Sequence, residues 1–225
     1  MYKKLGVLGG MGPSATLNLY KSLIEGRGAV ADQGHINMVL LNDSTIPDRT
    51  EAILGNGASP LPALISDCKR LCDAGCDVIA IPCNTSHYYY DELQASCEVP
   101  IINMIEATIN RLVKYQAKKA YLLATSGTIR TEIYKKNAAK SSIFFDDTSD
   151  PEIELMMEVI YAIKAGKSYR CDAFFEMIHE HLVNGADRII LGCTELSLID
   201  FPADIVERIV DSSAVLRDEI LLLFA

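Results

Sequence analysis

The chain has 225 residues, 49% hydrophobic and 23% charged, a soluble globular composition long enough for one large domain or two small ones about a cleft. A formal net charge of −9 with no basic patch argues against nucleic acid or an anionic membrane as partner, but not against a small acidic substrate, because local charge governs a pocket. No apolar run approaches the ~20 residues of a membrane span and no signal peptide is visible, so a cytoplasmic protein with seven reduced cysteines is expected.

Short apolar runs alternate with longer amphipathic ones. KKLGVLGG (3–10) reads as a buried strand, and PSATLNLYKSLIE (13–25) as a helix with Pro13 at its first position. INMVLLN (36–42) is a second strand, and LPALISDCKRLCDAG (61–75) a helix closed by Gly75. DVIAIP (77–82) is a third strand, HYYYDELQASCE (87–98) a helix and VPIIN (99–103) a short strand. KKAYLLAT (118–125) then restarts the rhythm as a strand, followed by a helix over GTIRTEIYKKNAA (127–139) and a strand at SSIFF (141–145). Helices follow over PEIELMMEVIYAIKAG (151–166) and DAFFEMIHEHLVNGA (172–186), then a strand at DRIILG (187–192). The tail, 203–224, is expected to hold a short strand and a closing helix. Such alternation predicts βαβ units and a mainly parallel sheet.

The two halves resemble each other. DVIAIPCNTSH (77–87) and DRIILGCTELS (187–197) each carry a cysteine at the same place, Cys83 and Cys193, each eight residues after a glycine, Gly75 and Gly185. KKLGVLGGMGP likewise resembles KKAYLLATSGT, with Gly12 opposite Gly127. The pattern predicts two pseudosymmetric α/β lobes, each a mainly parallel sheet flanked by helices. Residues 1–104 plus 208–225 are assigned to the lobe carrying Cys83, and 105–207 to the lobe carrying Cys193. Ligands of open α/β sheets bind beyond the carboxyl ends of the strands, so both thiols are expected to face one cleft between the lobes.

A thiol in a strand-to-helix turn sits near backbone N–H groups and the positive end of a helix, which pull a pKa of ~8.5 toward neutrality. One thiolate and one thiol on opposite sides of a carbon can remove a proton from one face and deliver one to the other, inverting the centre. A lone buried cysteine is more often core than catalyst; the repeat, with Asn84-Thr85 and Thr194-Glu195 following, tips the balance. Cys68, Cys72 and Cys76 read as a core stripe, since a zinc site wants four ligands and no second pair appears. Cys97 and Cys171 carry no signal. His179 and His181 read as solvated, and His87 either borders the pocket or is a plain helix position. GGMGPSAT (9–16) fits G-x-G-x-x-A, but no acidic ribose ligand ends the next strand. The turn serves a carboxylate equally well, or no ligand at all.

GGMGP, PCNTSH, ATSGT and GCTEL, in this order across essentially the whole chain, resemble the aspartate/glutamate racemase superfamily, and most of all its aspartate racemase branch. Glutamate racemases usually show a histidine where Glu195 stands. The resemblance implies a cofactor-independent isomerase racemising aspartate, and by extension glutamate, with Cys83 and Cys193 as the two catalytic bases. It places carboxylate-binding cations at Arg49 and Lys164. It makes Asn84, Thr85 and Thr194 substrate-binding residues that hold the α-carboxylate or amino group beside the thiols, with Met11 and Gly12 lining the glycine turn of the same substrate site. It also implies a homodimer, with neither cofactor nor metal. Hydantoin racemase, maleate isomerase and malonate decarboxylase are alternatives within the superfamily; a non-catalytic amino-acid-binding regulator is one outside catalysis.

Overall fold

The computed structural model describes residues 3–167 and 171–225. Strand β1 (Leu5–Gly9) leads into α1 (Pro13–Arg27), then β2 (Met38–Asn42), α2 (Arg49–Ile53), α3 (Leu61–Asp73) and β3 (Val78–Ala80). A 3-10 turn at Thr85–Tyr89 runs into α4 (Tyr90–Ala95), and α5 (Met104–Lys114) crosses to the second half. There β4 (Lys119–Leu123) is followed by α6 (Ser126–Arg130), α7 (Ile133–Asn137), β5 (Phe144–Phe145), α8 (Asp150–Lys164) and α9 (Asp172–Val183). The chain closes with β6 (Arg188–Leu191), α10 (Ala203–Val206), β7 (Ile209–Asp211) and α11 (Ser212–Leu223).

Two all-parallel sheets result, ordered β2-β1-β3 and β5-β4-β6-β7. The expected pseudosymmetry extends to register. Val7 pairs with Ala80, and Leu122 with Ile190, which are the same positions of the two repeats. Side chains repeat it too. Asp77 accepts the N–H groups of Lys3 and Lys4, both at 2.8 Å, and Asp187 those of Lys118 and Lys119 at 2.7 and 2.9 Å. Each carboxylate pins the start of one strand to the start of its neighbour, which sets the cysteines at the far ends in step.

Strands β1, β3, β4 and β6 are covered on both faces, as parallel sheets require, while the edge strands β2 and β5 are partly exposed. Leu5, Val7, Val78 and Ala80 of the first sheet and Ala120, Leu122, Ile190 and Val210 of the second share one central core with α1, α5 and α11. The alternate residues face outward: Leu8, Ile79 and Ile81 pack toward α3 and α4, and Tyr121, Leu123, Ile189 and Leu191 toward α8 and α9. A fully buried Leu or Ile contributes roughly 1.5–3 kcal/mol on leaving water, so this shared layer is what holds the two lobes together. No helix among the described residues is long and apolar enough to cross a membrane.

The structure departs from the sequence expectation in four places. The tail divides: β7 pairs with β6 in the second sheet, and only α11 returns to pack on α1 and α5, so a boundary before 208 puts β7 with a sheet it does not join. VPIIN makes a single bridge, Ile79 to Ile101, rather than a strand. The helix expected over 127–139 breaks at Glu132, which adopts φ 53°. Thr131 donates its hydroxyl back to the Thr128 carbonyl there, competing with the helical ladder. Finally α5 was unassigned, although Asn103 caps it by accepting the N–H groups of Ile105 and Glu106.

Candidate active site

The loops beyond the carboxyl ends of β1, β3, β4 and β6 meet between the lobes. Gly10, at φ 97°, lets the chain turn sharply after β1, and a side chain there would collide with the Asp43 backbone. Gly127 lets the second lobe come close: a Cβ would lie 3.0 Å from the Thr50 hydroxyl and 3.3 Å from the Thr85 methyl. Thr85, Thr125 and Thr128 join hydroxyls across the same seam at 2.9–3.1 Å.

Cys83 and Cys193 both line the cavity enclosed there, with Met11, Arg49, Asn84, Thr85, Lys164 and Thr194. Its volume is about 10 Å³, room for about one water. A wider cavity of about 290 Å³ adjoins it, lined by Gly12 and the rest of the glycine turn and sharing Met11, Asp48, Arg49, Lys164 and Glu195 with it. All nine residues picked out from the sequence are thus brought together. Asp48, Thr50, Thr125 and Glu195 also line the inner cavity and had not been picked out. Each lies within or beside a motif that had been, at a strand end or in the Arg49 segment.

The cations differ in how they are held. Arg49 is 8% exposed; its Nη1 donates to the carbonyls of Ile46 and Pro47 at 3.3 and 3.1 Å, and its Nη2 to that of Met11 at 3.2 Å. Its Nε is buried without a hydrogen-bond partner among the described residues. An orphan donor of this kind costs about 1–3 kcal/mol and is relieved by an incoming acceptor. Lys164, at the end of α8, lies with Nζ 5.2 Å from the Tyr161 ring centroid. Burial alone lowers its pKa, but Glu195 and the neighbouring thiols of Cys193 and Cys83, when ionised, outweigh that and raise it, so Lys164 is a firm ammonium.

The environment of Cys193 reverses one expectation. Its thiol sits well above the ordinary cysteine range, chiefly through burial and then through the Glu195 charge, which together exceed the lowering by Lys164. The helix expected to follow it is a single turn, Leu196–Leu198, too short to direct a useful dipole at the sulfur. The thiol donates to Glu195 Oε2 at 3.0 Å instead. Glu195 Oε1 in turn accepts the Gly12 N–H at 3.1 Å, so the glycine turn does serve a carboxylate, an internal one.

The neighbouring polar side chains brace the seam. Asn84 donates to the Ser212 hydroxyl at 2.9 Å and accepts from the Tyr134 hydroxyl at 2.6 Å. Thr194 donates to the Pro82 carbonyl at 3.3 Å. His87 lies behind the cavity. It donates from Nδ1 to the Cys83 carbonyl at 2.8 Å, and its Nε2 accepts the Met104 N–H at 3.2 Å, so its partners select the neutral ring. Burial holds its pKa below the usual histidine value. The sign follows: the unfolded chain takes up a proton near pH ~6.5 that the folded chain refuses, so His87's contribution is whole above that pH and is lost as pH falls. Urea unfolding between about pH 5 and 8 is expected to show stability falling on the acid side, with a shallower fall in His87→Gln. An equal slope in both proteins removes His87 from the account.

Other titratable groups lie elsewhere. His181 is not solvated. It sits between Asp146 and Glu152 at 3.0 and 2.7 Å and stacks on Tyr121, whereas His179 is half exposed and bonds Asp204 at 2.7 Å. All seven cysteines are free. Cys68 belongs to the core, and burial pushes its thiol up to about 12. Cys72 and Cys97 approach to 3.1 Å, a contact the sequence did not suggest, and burial lifts Cys97 to about 11. No cluster of three or more His, Cys, Asp or Glu side chains suited to a metal occurs among the described residues.

Twin parallel lobes, one thiol ending a strand in each and both thiols on one cleft, define the architecture of the two-lobed amino-acid racemases. The chain belongs to the Asp/Glu/Hydantoin racemase family, which it matches over residues 8–216. It is 31% identical over 217 residues to the broad specificity amino-acid racemase RacX of Bacillus subtilis (strain 168), covering 94% of each chain. Among solved structures it is similar to the Picrophilus torridus aspartate racemase, with a TM-score of 0.87 and 30% identity over 99% of this chain and 94% of that one. It also resembles an aspartate racemase homologue from Pyrococcus horikoshii, with a TM-score of 0.79 and 26% identity over 99% of both chains. The glutamate racemase of Francisella tularensis shares the fold at a TM-score of 0.68 and 20% identity, over 98% of this chain and 80% of that one. The protein is an isomerase, an amino-acid racemase.

Proposed function

We propose that the substrate is aspartate, with glutamate as a slower one, and that Cys83 and Cys193 interconvert its enantiomers as a two-base pair. The observation that carries this reading is the company the thiols keep. Both line a cavity with one guanidinium and one ammonium, Arg49 and Lys164, the complement of a dicarboxylate. In this reading the orphan Arg49 Nε takes one carboxylate oxygen, and Lys164 takes the other carboxylate. Asn84, Thr85 and Thr194 hold the substrate's α-carboxylate or amino group beside the thiols. Met11 and Gly12 wall the entrance. A cavity of about 10 Å³ does not admit an amino acid, so the lobes part for entry and close for chemistry, excluding water from the α-carbon. The two thiols supply both protons, and activity is expected without pyridoxal phosphate or metal.

Similarity to a broad specificity racemase favours a second reading, in which neutral amino acids are also accepted. The same experiment decides both. Purified protein is incubated with single enantiomers from a panel of acidic and neutral amino acids, and the products are resolved by chiral chromatography. Aspartate is expected to interconvert fastest. Neutral residues overtaking aspartate establish the second reading, and no interconversion of either acidic amino acid overturns the first.

A further inference from the structure

Glu195 is 2% exposed, and a carboxylate at that depth needs donors. It has the Gly12 N–H at 3.1 Å and the Cys193 thiol at 3.0 Å, while the one Thr194 hydroxyl proton is shared between the Pro82 carbonyl at 3.3 Å and this carboxylate at 3.4 Å. Gly12 is also the N-cap of the 15-residue helix α1, whose positive end therefore faces the same carboxylate. These donors satisfy its buried oxygens. An anion that accepts the S–H bond keeps the proton on sulfur, because ionising Cys193 sets a thiolate against a carboxylate in a dry site. Cys83 is placed differently: no carboxylate hydrogen-bonds its sulfur among the described residues, and the carbonyl of its own residue is held by His87 and Ser86. The two halves match in backbone register but not in charge.

We infer that Glu195 is a positioning residue that keeps the resting proton on Cys193, so that in the ligand-free enzyme Cys193 waits as the acid of the pair. This rests on the paired-thiol reading above and deepens it. The protons balance. Cys83 thiolate takes the α-hydrogen, the Cys193 S–H bond breaks, and its proton goes to the opposite face of the α-carbon. Cys193 is left as a thiolate beside Glu195, and the proton now on Cys83 returns to it through water when the cleft opens. The groups facing Cys193 are Glu195 from its own loop, Lys164 from α8, and Cys83, Arg49 and Asp48 around the cavity, with Tyr134 also close enough to interact. Lys164 favours a thiolate there, while burial and Glu195 oppose it. The hydrogen bond from sulfur runs to Glu195, which decides the order.

The test needs no turnover. Ligand-free wild-type and Glu195→Gln proteins are treated with iodoacetamide across a pH series, and each cysteine peptide is followed by mass spectrometry. In wild type, Cys83 is expected to react at lower pH than Cys193. In Glu195→Gln the Cys193 profile is expected to move down by about one pH unit or more, an acceleration of about tenfold at neutral pH, with Cys83 changed by less than about twofold. The inference is overturned if Cys193 reacts at as low a pH as Cys83 in wild type, if its profile stays in place in the variant, or if both thiols shift alike. Should Glu195→Gln fail to fold by circular dichroism, the wild-type order alone decides. Racemisation by a cysteine-to-alanine variant at the wild-type rate sinks the paired-thiol reading instead, and leaves the alkylation order as measured.

Discussion

Cys83→Ala and Cys193→Ala are each expected to abolish racemisation while leaving the fold intact. Either direction needs one acid and one base, so the loss of either thiol stops both. Positioned acid–base groups are worth about 10²–10⁴-fold each, and a drop of about 10³-fold or more is expected in either variant. Both thiols are buried, at 5% and 6% exposure, but removing one sulfur from a polar cavity costs only about 1 kcal/mol of stability. Isotopes make the claim sharper. In deuterated water the far thiol carries solvent deuterium, and the near thiolate receives the substrate's own hydrogen. Early product is therefore expected to hold deuterium at the α-carbon while recovered substrate holds little. A single base serving both faces labels both enantiomers together. Each alanine variant keeps one thiol, so exchange of the α-hydrogen is expected for one enantiomer, and the favoured enantiomer is expected to reverse between the two variants. Racemisation near the wild-type rate in either variant makes that cysteine a packing residue and ends the two-base reading.

What could be read from the sequence was what repeats. Asp77 and Asp187, the apolar runs after them and the cysteines after those recur at one offset, and the structure builds each set into the same register. Buried parallel strands write themselves as continuous apolar runs, so β1, β3, β4 and β6 were visible. Short helices did not write themselves. α2 spans five residues, too few for a helical period to emerge, and the single helix read over 127–139 divides into α6 and α7 of five residues each. The missed polar neighbours have a similar cause. Glu195 meets the Gly12 N–H across 183 residues of sequence, and no local pattern encodes that approach. Burial first, and then the charge of this same glutamate, explain why the expected acidification of Cys193 failed. The motif showed a cysteine after a strand, but not that the glutamate two residues on would turn back onto its sulfur.

Lys164→Ala and Arg49→Ala are expected to lose activity alike and stability unequally. In the proposed complex each cation meets one carboxylate in a partly dry cleft, where removing one partner costs about 2–5 kcal/mol. That predicts a fall of roughly 30-fold or more in kcat/KM for aspartate in each variant. Arg49 has a second task. Its guanidinium ties the Ile46 and Pro47 carbonyls to the Met11 carbonyl, so truncation strips three buried or half-buried acceptors of their donor at once. At about 1 kcal/mol for each hydrogen bond, Arg49→Ala is expected to be about 2–3 kcal/mol less stable in urea unfolding. Lys164 offsets the Glu195 charge beside the two thiols rather than holding the backbone, and its ring contact with Tyr161 is worth less than a fixed hydrogen bond. Lys164→Ala is therefore expected to fold within about 1 kcal/mol of wild type and still lose aspartate turnover. Its loss is expected to fall on neutral amino acids less than on aspartate, because they bring one carboxylate instead of two. Wild-type kcat/KM in both variants shows that neither cation meets the substrate, and an equal loss for neutral and acidic amino acids shows that Lys164 serves the thiols and not the substrate's second carboxylate.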